Sequence, residues 1–349
     1  MSTYSTIEKY IKDVQSSKSI AYSHLAGNGA TASLETKLCS HYGAKHALCV
    51  DSATNGLLYL LLAVGLQGKE IITTPLTWGG TIAGTFSMGC KFHFADVNDR
   101  TLNICPQSME TCMRKSKNIK AVIVVDFAGN PHDIAAVHKT CEDFGVWHFV
   151  DAAQSLGAIY NGINPAQLCD AMVVSFGSGK AVFGGEGGAI ITDNSELYLK
   201  LISICQHPHR QERDCGIGIS TELALNGRIH PVAAIMANEN FETGLVSMNE
   251  KRKKMRAVCQ ELYKLNSVSS VVNHHNGTFY HSLFFAENES KLKVEFEEST
   301  LENDFFWTKS AFVTLPEQLR RVGKGTMIKT YDNIQLENLL DKLYILNSK

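Results

Sequence analysis

The strongest constraint on this chain is an alternation between two kinds of segment. Short runs of apolar and β-branched residues occur at 47–50, 70–73, 91–95, 121–125, 147–150, 171–175 and 189–192. Each is nearly continuous in hydrophobicity, which is how a parallel strand buried on both faces reads. Stretches of helical length separate the runs, at 33–41, 54–64, 81–88, 108–115 and 134–144. Strand and helix in this order predict an α/β fold, a mostly parallel mixed sheet covered by helices. From 239 to 267 the pattern becomes that of one long helix, and the tail from Val268 is richer in charge and aromatics. We therefore expect a large domain over 1–240 and a smaller C-terminal α+β domain over 241–349.

Composition narrows the classes of partner. The 349 residues are 44% hydrophobic and 19% charged, enough apolar material for a sizeable core. Lys plus Arg number 33 and Asp plus Glu 35, so no basic excess points to nucleic acid or to an anionic membrane. The longest apolar stretch, 57–66, falls well short of the roughly 20 residues a membrane span needs. Charges are scattered through 1–23, which does not read as a secretory signal. Ten cysteines occur singly and never as Cys-x-x-Cys, so we expect reduced buried thiols in the cytoplasm and no zinc or other metal site.

Three positions at predicted strand ends carry chemistry, and ligands of open α/β sheets bind at such ends. The first is Asp151, after Trp147-His148-Phe149-Val150. Alone it reads equally well as a helix N-cap. The second is Lys180, in a glycine-rich turn that continues to Gly184-Gly185-Glu186-Gly187-Gly188. A lysine beside a low-dielectric core shifts toward the neutral amine, the nucleophile of Schiff-base chemistry. The third is Ser52-Ala53-Thr54-Asn55-Gly56, at the start of a helix. Small and hydroxyl residues there make an anion site from unpaired N–H groups and the helix dipole. A Schiff-base lysine, an acid for a pyridinium nitrogen and a phosphate seat are together what a pyridoxal phosphate site requires.

In these segments the chain resembles fold-type I pyridoxal phosphate enzymes and, within them, the DegT-type sugar aminotransferases. The resemblance runs in order through Ser52 to Leu57, Thr74-Pro75-Leu76-Thr77-Trp78, Asp96-Val97-Asn98 with Thr101-Leu102-Asn103, and Gly129 to Asp133. It continues through Asp151-Ala152-Ala153-Gln154-Ser155-Leu156-Gly157-Ala158, Ser175-Phe176 with Lys180, Gly185 to Gly188, and Asn226-Gly227-Arg228. It covers about residues 25–240 and is most specific between Asp151 and Gly188.

The resemblance implies a role for each matching residue. Lys180 would bind pyridoxal 5'-phosphate as a Schiff base and move protons. Asp151 would pair with the ring nitrogen, Gln154 would lie near the phenolic oxygen, and Trp78 would stack on the ring opposite Ala153. Ala53, Thr54 and Ser175 would hold the phosphate. Asn226 would reach the phosphate of a neighbouring subunit, giving a homodimer with shared sites. The implied activity is transfer of an amino group from an amino-acid donor, glutamate, to a keto acceptor such as a nucleotide-linked keto sugar. The alternatives are other chemistry of the same cofactor, as in a dehydratase, and a non-catalytic descendant that only binds it. Family dehydratases carry histidine where this chain has Lys180.

The last hundred residues depart from the family. His274 to His281 and the acidic stretch Glu295 to Glu298 stand where a different substrate-binding stretch is usual, and Ala53 replaces a glycine. The acceptor is therefore less specified than the cofactor. His207, His209 and Arg210 are candidates for an acidic part of the substrate. Lys251-Arg252-Lys253-Lys254 reads as a solvated helix face. Gly27-Asn28-Gly29 is set aside as a dinucleotide motif, because no strand precedes it.

Overall fold

Seven strands hydrogen-bond into one sheet in the computed structural model, which describes residues 3–17, 23–98, 100–216, 224–264, 268–271, 276–286, 301–302 and 325–328. The strands are β1 (His46–Val50), β2 (Glu70–Thr73), β3 (Lys91–Phe94), β4 (Ile119–Val125), β5 (Trp147–Asp151), β6 (Ala171–Ser175) and β7 (Gly188–Thr192). Their order is β1-β7-β6-β5-β4-β2-β3, and β7 alone runs antiparallel to both neighbours. The remaining pairs, β2 with β3 and β4, β4 with β5, and β5 with β6, are parallel. This is the mostly parallel mixed sheet that the alternation predicts.

Successive residues of a strand point to opposite faces, and here they feed two cores. Val150, Val174 and Ile191 pack with Leu34, Leu38 and Phe241 on one face. Phe149, Val173 and Ile190 pack with Leu57, Leu60 and Leu201 on the other. A third cluster joins Ile72, Val122 and Val124 to Met109, Met113 and Val137. Each such side chain, fully buried, stabilises the fold by about 1.5–3 kcal/mol, so both faces of the central strands contribute. A one-residue slip in β5 would exchange the faces of all its side chains and move Asp151 away from the strand end.

The helices that cover the sheet are α1 (Thr3–Ser16), α2 (Ala30–Tyr42), α3 (Ala53–Ala63), α4 (Gly80–Ser87), α5 (Pro106–Lys115), α6 (Ile134–Phe144), α7 (Ser195–Cys205), α8 (Pro208–Cys215) and α9 (Pro231–Leu262). Their starts are written locally. Ser52, Asp133 and Asn194 accept N–H bonds from Asn55, Ala136 and Leu197. His207 and His230 cap α8 and α9, each followed by proline at the first helical position. Gly145, in the left-handed region, ends α6.

Helix α9 has 32 residues and is about 48 Å long at 1.5 Å per residue. It starts at Pro231, eight residues before the expected Glu239, because the proline and its His230 cap set the entry. The expected boundary between residues 240 and 241 falls inside this unbroken helix. Beyond it, four strands form an antiparallel sheet: β8 (Val268–Val271), β9 (Ser282–Ala286), β10 (Leu301–Glu302) and β11 (Gly325–Ile328), in the order β10-β11-β9-β8. His274, His275 and Glu295 to Glu298 lie outside the described residues. Among the described residues no helix is long and apolar enough to cross a membrane.

Residues 276–281 return from the small sheet to the large one. Asn276 O accepts from Ile159 N at 2.9 Å, and Thr278 N and His281 N donate to Gly129 O and Ala128 O at 3.0 and 3.3 Å. Arg252, buried on α9, donates to the carbonyls of Gly277 and Gly157. The large sheet, α9 and this returning segment thus form one frame.

Gly244 sets how closely α9 crosses that frame. A Cβ there would lie 2.2 Å from Ala181 O. Helix propensity alone favours Gly244→Ala by about 1 kcal/mol, whereas overpacking costs about 1–3 kcal/mol. We expect Gly244→Ala to lower the urea midpoint. A raised midpoint would show that α9 does not pack on the Ala181 backbone.

Candidate active site

The turn after β5, the end of β6 with the loop that follows it, helix α9 and the 276–281 segment converge on a cavity of about 510 Å³. Its wall includes Ala153, Gln154, Ser175, Lys180, Lys251 and Tyr280. Lys180 sits in the loop between β6 and β7, with Nζ 4.2 Å from the centroid of the Tyr280 ring. Ser175 ends β6, and its hydroxyl accepts from Gly177 N at 3.2 Å, shaping the turn toward Lys180.

Asp151 ends β5 and is buried. Oδ2 accepts from Thr81 Oγ1 at 2.6 Å, and Oδ1 accepts from Ala153 N at 3.1 Å. Burial raises its carboxyl above the ordinary range, while these two hydrogen bonds and the charge of Lys180 pull the other way. A carboxyl in this state gains from a cationic partner. Thr81 itself is fixed by a hydroxyl contact with Thr77.

Beneath Asp151 lies a second buried acid. Asp126 N donates to Asp151 O at 3.2 Å. The Asp126 carboxylate accepts from His132 Nδ1 at 2.7 Å, from Ser155 Oγ at 2.6 Å and from the Tyr160 hydroxyl. Burial pushes this carboxyl up, but the charge of His132 and these hydrogen bonds bring it below its usual value. The network holds the turn after β5 rigid. Gln154 Oε1 accepts from Ala128 N at 2.8 Å, which leaves its Nε2 to donate into the cavity.

The start of α3 provides the anion seat. Ser52 Oγ takes the N–H of Asn55 at 3.1 Å, and the first turn of a helix leaves further N–H groups for a ligand. Two close approaches keep the seat narrow. A Cβ at Gly188 would stand 2.7 Å from Ala53 N, and one at Gly80 would stand 2.6 Å from Thr54 Oγ1 and 3.1 Å from the Trp78 ring. The start of α4 therefore adjoins the start of α3, bringing Thr54 and Trp78 together. Trp78 is 63% exposed. Asn226 is exposed, accepts from the Arg228 guanidinium, and lies beside the end of β1 through the Val50–Arg228 bridge.

A pyridoxal phosphate fits these residues. The raised Asp151 carboxyl suits a pyridinium, Lys180 shares its surroundings, and Gly80 and Gly188 cradle a helix start suited to phosphate. The lysine, glutamine and serine expected from the sequence thus line one cavity, whereas Asp151, Ala53, Thr54, Trp78 and Asn226 are not among its lining residues.

The substrate trio is different. Arg210 is 1% exposed, and its guanidinium donates to both Glu35 oxygens at 2.9 and 2.8 Å and to Asp214 at 3.2 Å. This corrects the expectation that Arg210 faces the substrate. Its charge is consumed in a buried ion pair, and Glu35 in turn accepts from Cys49 N of β1. His207 Nδ1 accepts from His209 N at the start of α8, and neither histidine lines the cavity. The solvated reading of 251–254 is corrected as well, because Arg252 is buried and Lys251 lines the cavity.

Sequence reasoning missed Thr81, Lys251, Thr278 and Tyr280. For Lys251 a signal existed: Asn240, Thr243, Ser247 and Lys251 recur at helical spacing with glycine at 244.

Two outcomes check this geometry. Arg210→Met leaves the buried Glu35 carboxylate without its counter-charge and should cost about 3–5 kcal/mol in urea unfolding; unchanged stability would return Arg210 to a ligand-facing role. Thr81→Val removes a hydrogen bond that favours the anionic carboxyl. It should weaken pyridoxal phosphate binding about tenfold in an absorbance titration, and equal affinity would contradict the Asp151 assignment.

The DegT/DnrJ/EryC1/StrS aminotransferase family matches residues 6–327. A UDP-4-amino-4,6-dideoxy-N-acetyl-beta-L-altrosamine transaminase of Campylobacter jejuni is 30% identical over 249 residues, 71% of this chain and 65% of that protein. The spore coat polysaccharide biosynthesis protein SpsC of Bacillus subtilis is 34% identical over 174 residues, 50% of this chain and 44% of that protein. The matched stretches thus span less than two thirds of these relatives. Among solved structures, Helicobacter pylori PseC, an aminotransferase involved in the biosynthesis of pseudoaminic acid, superposes with a TM-score of 0.80 at 19% identity, covering 98% of this chain and 96% of that one. NtdA of Bacillus subtilis with bound cofactor PMP gives 0.78 at 17% identity, covering 92% and 78%. With its fold matched by these structures and its sequence by the family from residue 6 to residue 327, the chain belongs to the DegT/DnrJ/EryC1/StrS aminotransferase family, whose cofactor is pyridoxal phosphate.

Proposed function

We propose that this protein is an aminotransferase that moves an amino group from an amino-acid donor, glutamate, to a nucleotide-linked keto sugar. The observation that carries the reading is a buried acid of raised proton affinity whose surroundings include the charge of Lys180. The sugar is read from the relatives' names, which place a transaminase on a UDP-linked 4-amino sugar and a protein in spore coat polysaccharide biosynthesis. Removing the amino group from the first leaves a UDP-linked 4-keto sugar, the acceptor we assign.

The cofactor supplies a carbonyl that an amine can hold and a cationic ring that accepts the electron pair released at the substrate carbon. Lys180 would provide the amine that holds the carbonyl, and its Nζ would carry a proton between neighbouring carbons. Asp151 keeps the ring nitrogen protonated. Gln154 Nε2 would donate to the phenolic oxygen, and Ala153 and Trp78 would flank the ring. Ala53, Thr54 and Ser175 hold the phosphate. His207 and His209, beside Arg228, stand as candidates for the outer part of the acceptor.

We further infer a homodimer in which Asn226 serves the neighbouring site. Trp78 and Phe86 are 63% and 68% exposed, apolar area of the kind a second copy covers. All ten cysteines are unpaired, which supports a reducing, cytoplasmic setting. The presence of Lys180 argues against the dehydratase reading.

The test follows the cofactor's visible band in the reconstituted protein. Glutamate should bleach it, and the UDP-linked keto sugar should restore it. Lys180→Ala should retain weak binding and lose turnover by about 10³-fold or more. A wild-type band indifferent to every amino donor would favour the binding-only alternative.

A further inference from the structure

Helix α9 turns one polar stripe toward the cavity. Asn240, Thr243, Gly244, Ser247, Met248 and Lys251 all line it, at spacings of three and four residues that keep them on one face. The stripe is pressed against the Lys180 loop. Gly244 admits the Ala181 carbonyl, and the Asn240 amide both accepts from Phe183 N and donates to Phe183 O. Lys251 is therefore held in the wall by the same helix that packs over Lys180.

The charges in this wall do not balance. Among the described residues Lys180 and Lys251 are its only charged side chains, and no carboxylate lines it. Among the described residues no carboxylate forms an ion pair with Lys251; Glu250, its neighbour, is paired with Lys253. Burial lowers the Lys251 ammonium to about 8. The one titratable neighbour recorded beside it is His281, which burial and the charges of Lys251 and Lys180 bring down to about 4 and hence to neutrality at neutral pH. The Tyr280 ring, which packs edge-on to His281, faces the Lys180 ammonium. Once Lys180 is engaged with the cofactor, Lys251 is the remaining cation of the wall. A half-buried cation without a counter-charge is costly, and a ligand that brings the missing anion offsets the cost.

We propose that Lys251 is the residue that recognises an acidic group of the substrate: its ammonium pairs with a carboxylate or phosphate oxygen that the substrate carries into the cavity. The inference rests on the aminotransferase reading and names a specificity residue for it. The carboxylate would come from the amino donor and the phosphate from the nucleotide of the acceptor.

The test uses the reconstituted holoenzyme and two unreactive probes, glutarate for the carboxylate and inorganic diphosphate for the phosphate. Binding is read by calorimetry and by the shift of the visible band. In the wild type at least one probe should bind. Lys251→Met should weaken that probe by about 10- to 100-fold, while Lys251→Arg, which keeps the charge, should restore it to within about 3-fold. Loss of glutarate binding assigns the donor, and loss of diphosphate binding assigns the acceptor. The melting temperature of Lys251→Met should equal or exceed that of the wild type, because an unpaired half-buried cation is removed; a fall would mark a structural role and overturn the proposal. It is equally overturned if neither probe binds the wild type, or if Lys251→Met binds both as well as the wild type does. The aminotransferase reading is judged separately, by the bleaching of the wild-type band with glutamate.

Discussion

A carboxylate at the end of a largely buried strand is the constraint around which this molecule is arranged. Asp151 is buried, and an ionised acid in such a place is tolerable only when hydrogen bonds and opposite charge replace most of its hydration. Thr81 comes from the start of α4, Ala153 N from the turn after β5, and the charge of Lys180 from the β6–β7 loop. Each belongs to a different element, so the acid is satisfied only when the sheet, the helix and the loop are assembled. The Asp126 network below makes the same demand one layer deeper, tying β4 to the turn through His132, Ser155 and Tyr160. A cationic ring placed on Asp151 completes what the protein leaves incomplete.

The sheet supplies the chemistry, and α9 supplies the wall that faces it. Arg252 ties α9 to Gly157 and Gly277, and Asn240 ties it to Phe183. The residues proposed to hold the cofactor and those proposed to meet the substrate are thereby fixed to one another through contacts to the backbone, which suits a reaction that needs a proton moved between adjacent atoms. Tyr280 and Thr278 enter the cavity wall from the returning segment; the family match runs through this segment to residue 327, which corrects the expectation that the last hundred residues depart from the family.

Much of the large sheet was legible because its strands are buried on both faces. Such strands need continuous apolar runs, and β2 and β6 have the bounds the runs predict. Strand-end chemistry was legible for a related reason: Asp151 and Lys180 are polar residues where the local pattern calls for apolar ones or plain turns. Reading failed where the decisive contact is distant in sequence. Arg210 reads as a surface cation until Glu35, 175 residues away, is brought beside it. Lys251 reads as one of several solvated cations because its neighbours Lys253 and Arg256 are exposed. Thr81 carries no local mark of its bond to a carboxylate 70 residues on. The start of α9 was misplaced because the His230 cap and Pro231 outweigh the weak periodicity that follows.

The central claim is that one particular amine carries the cofactor. Borohydride reduction of the reconstituted protein, followed by peptide mapping, tests it most directly. The account predicts a single stable adduct, on Lys180, that disappears in Lys180→Ala. An adduct on Lys251 instead, or none on either lysine, would contradict it.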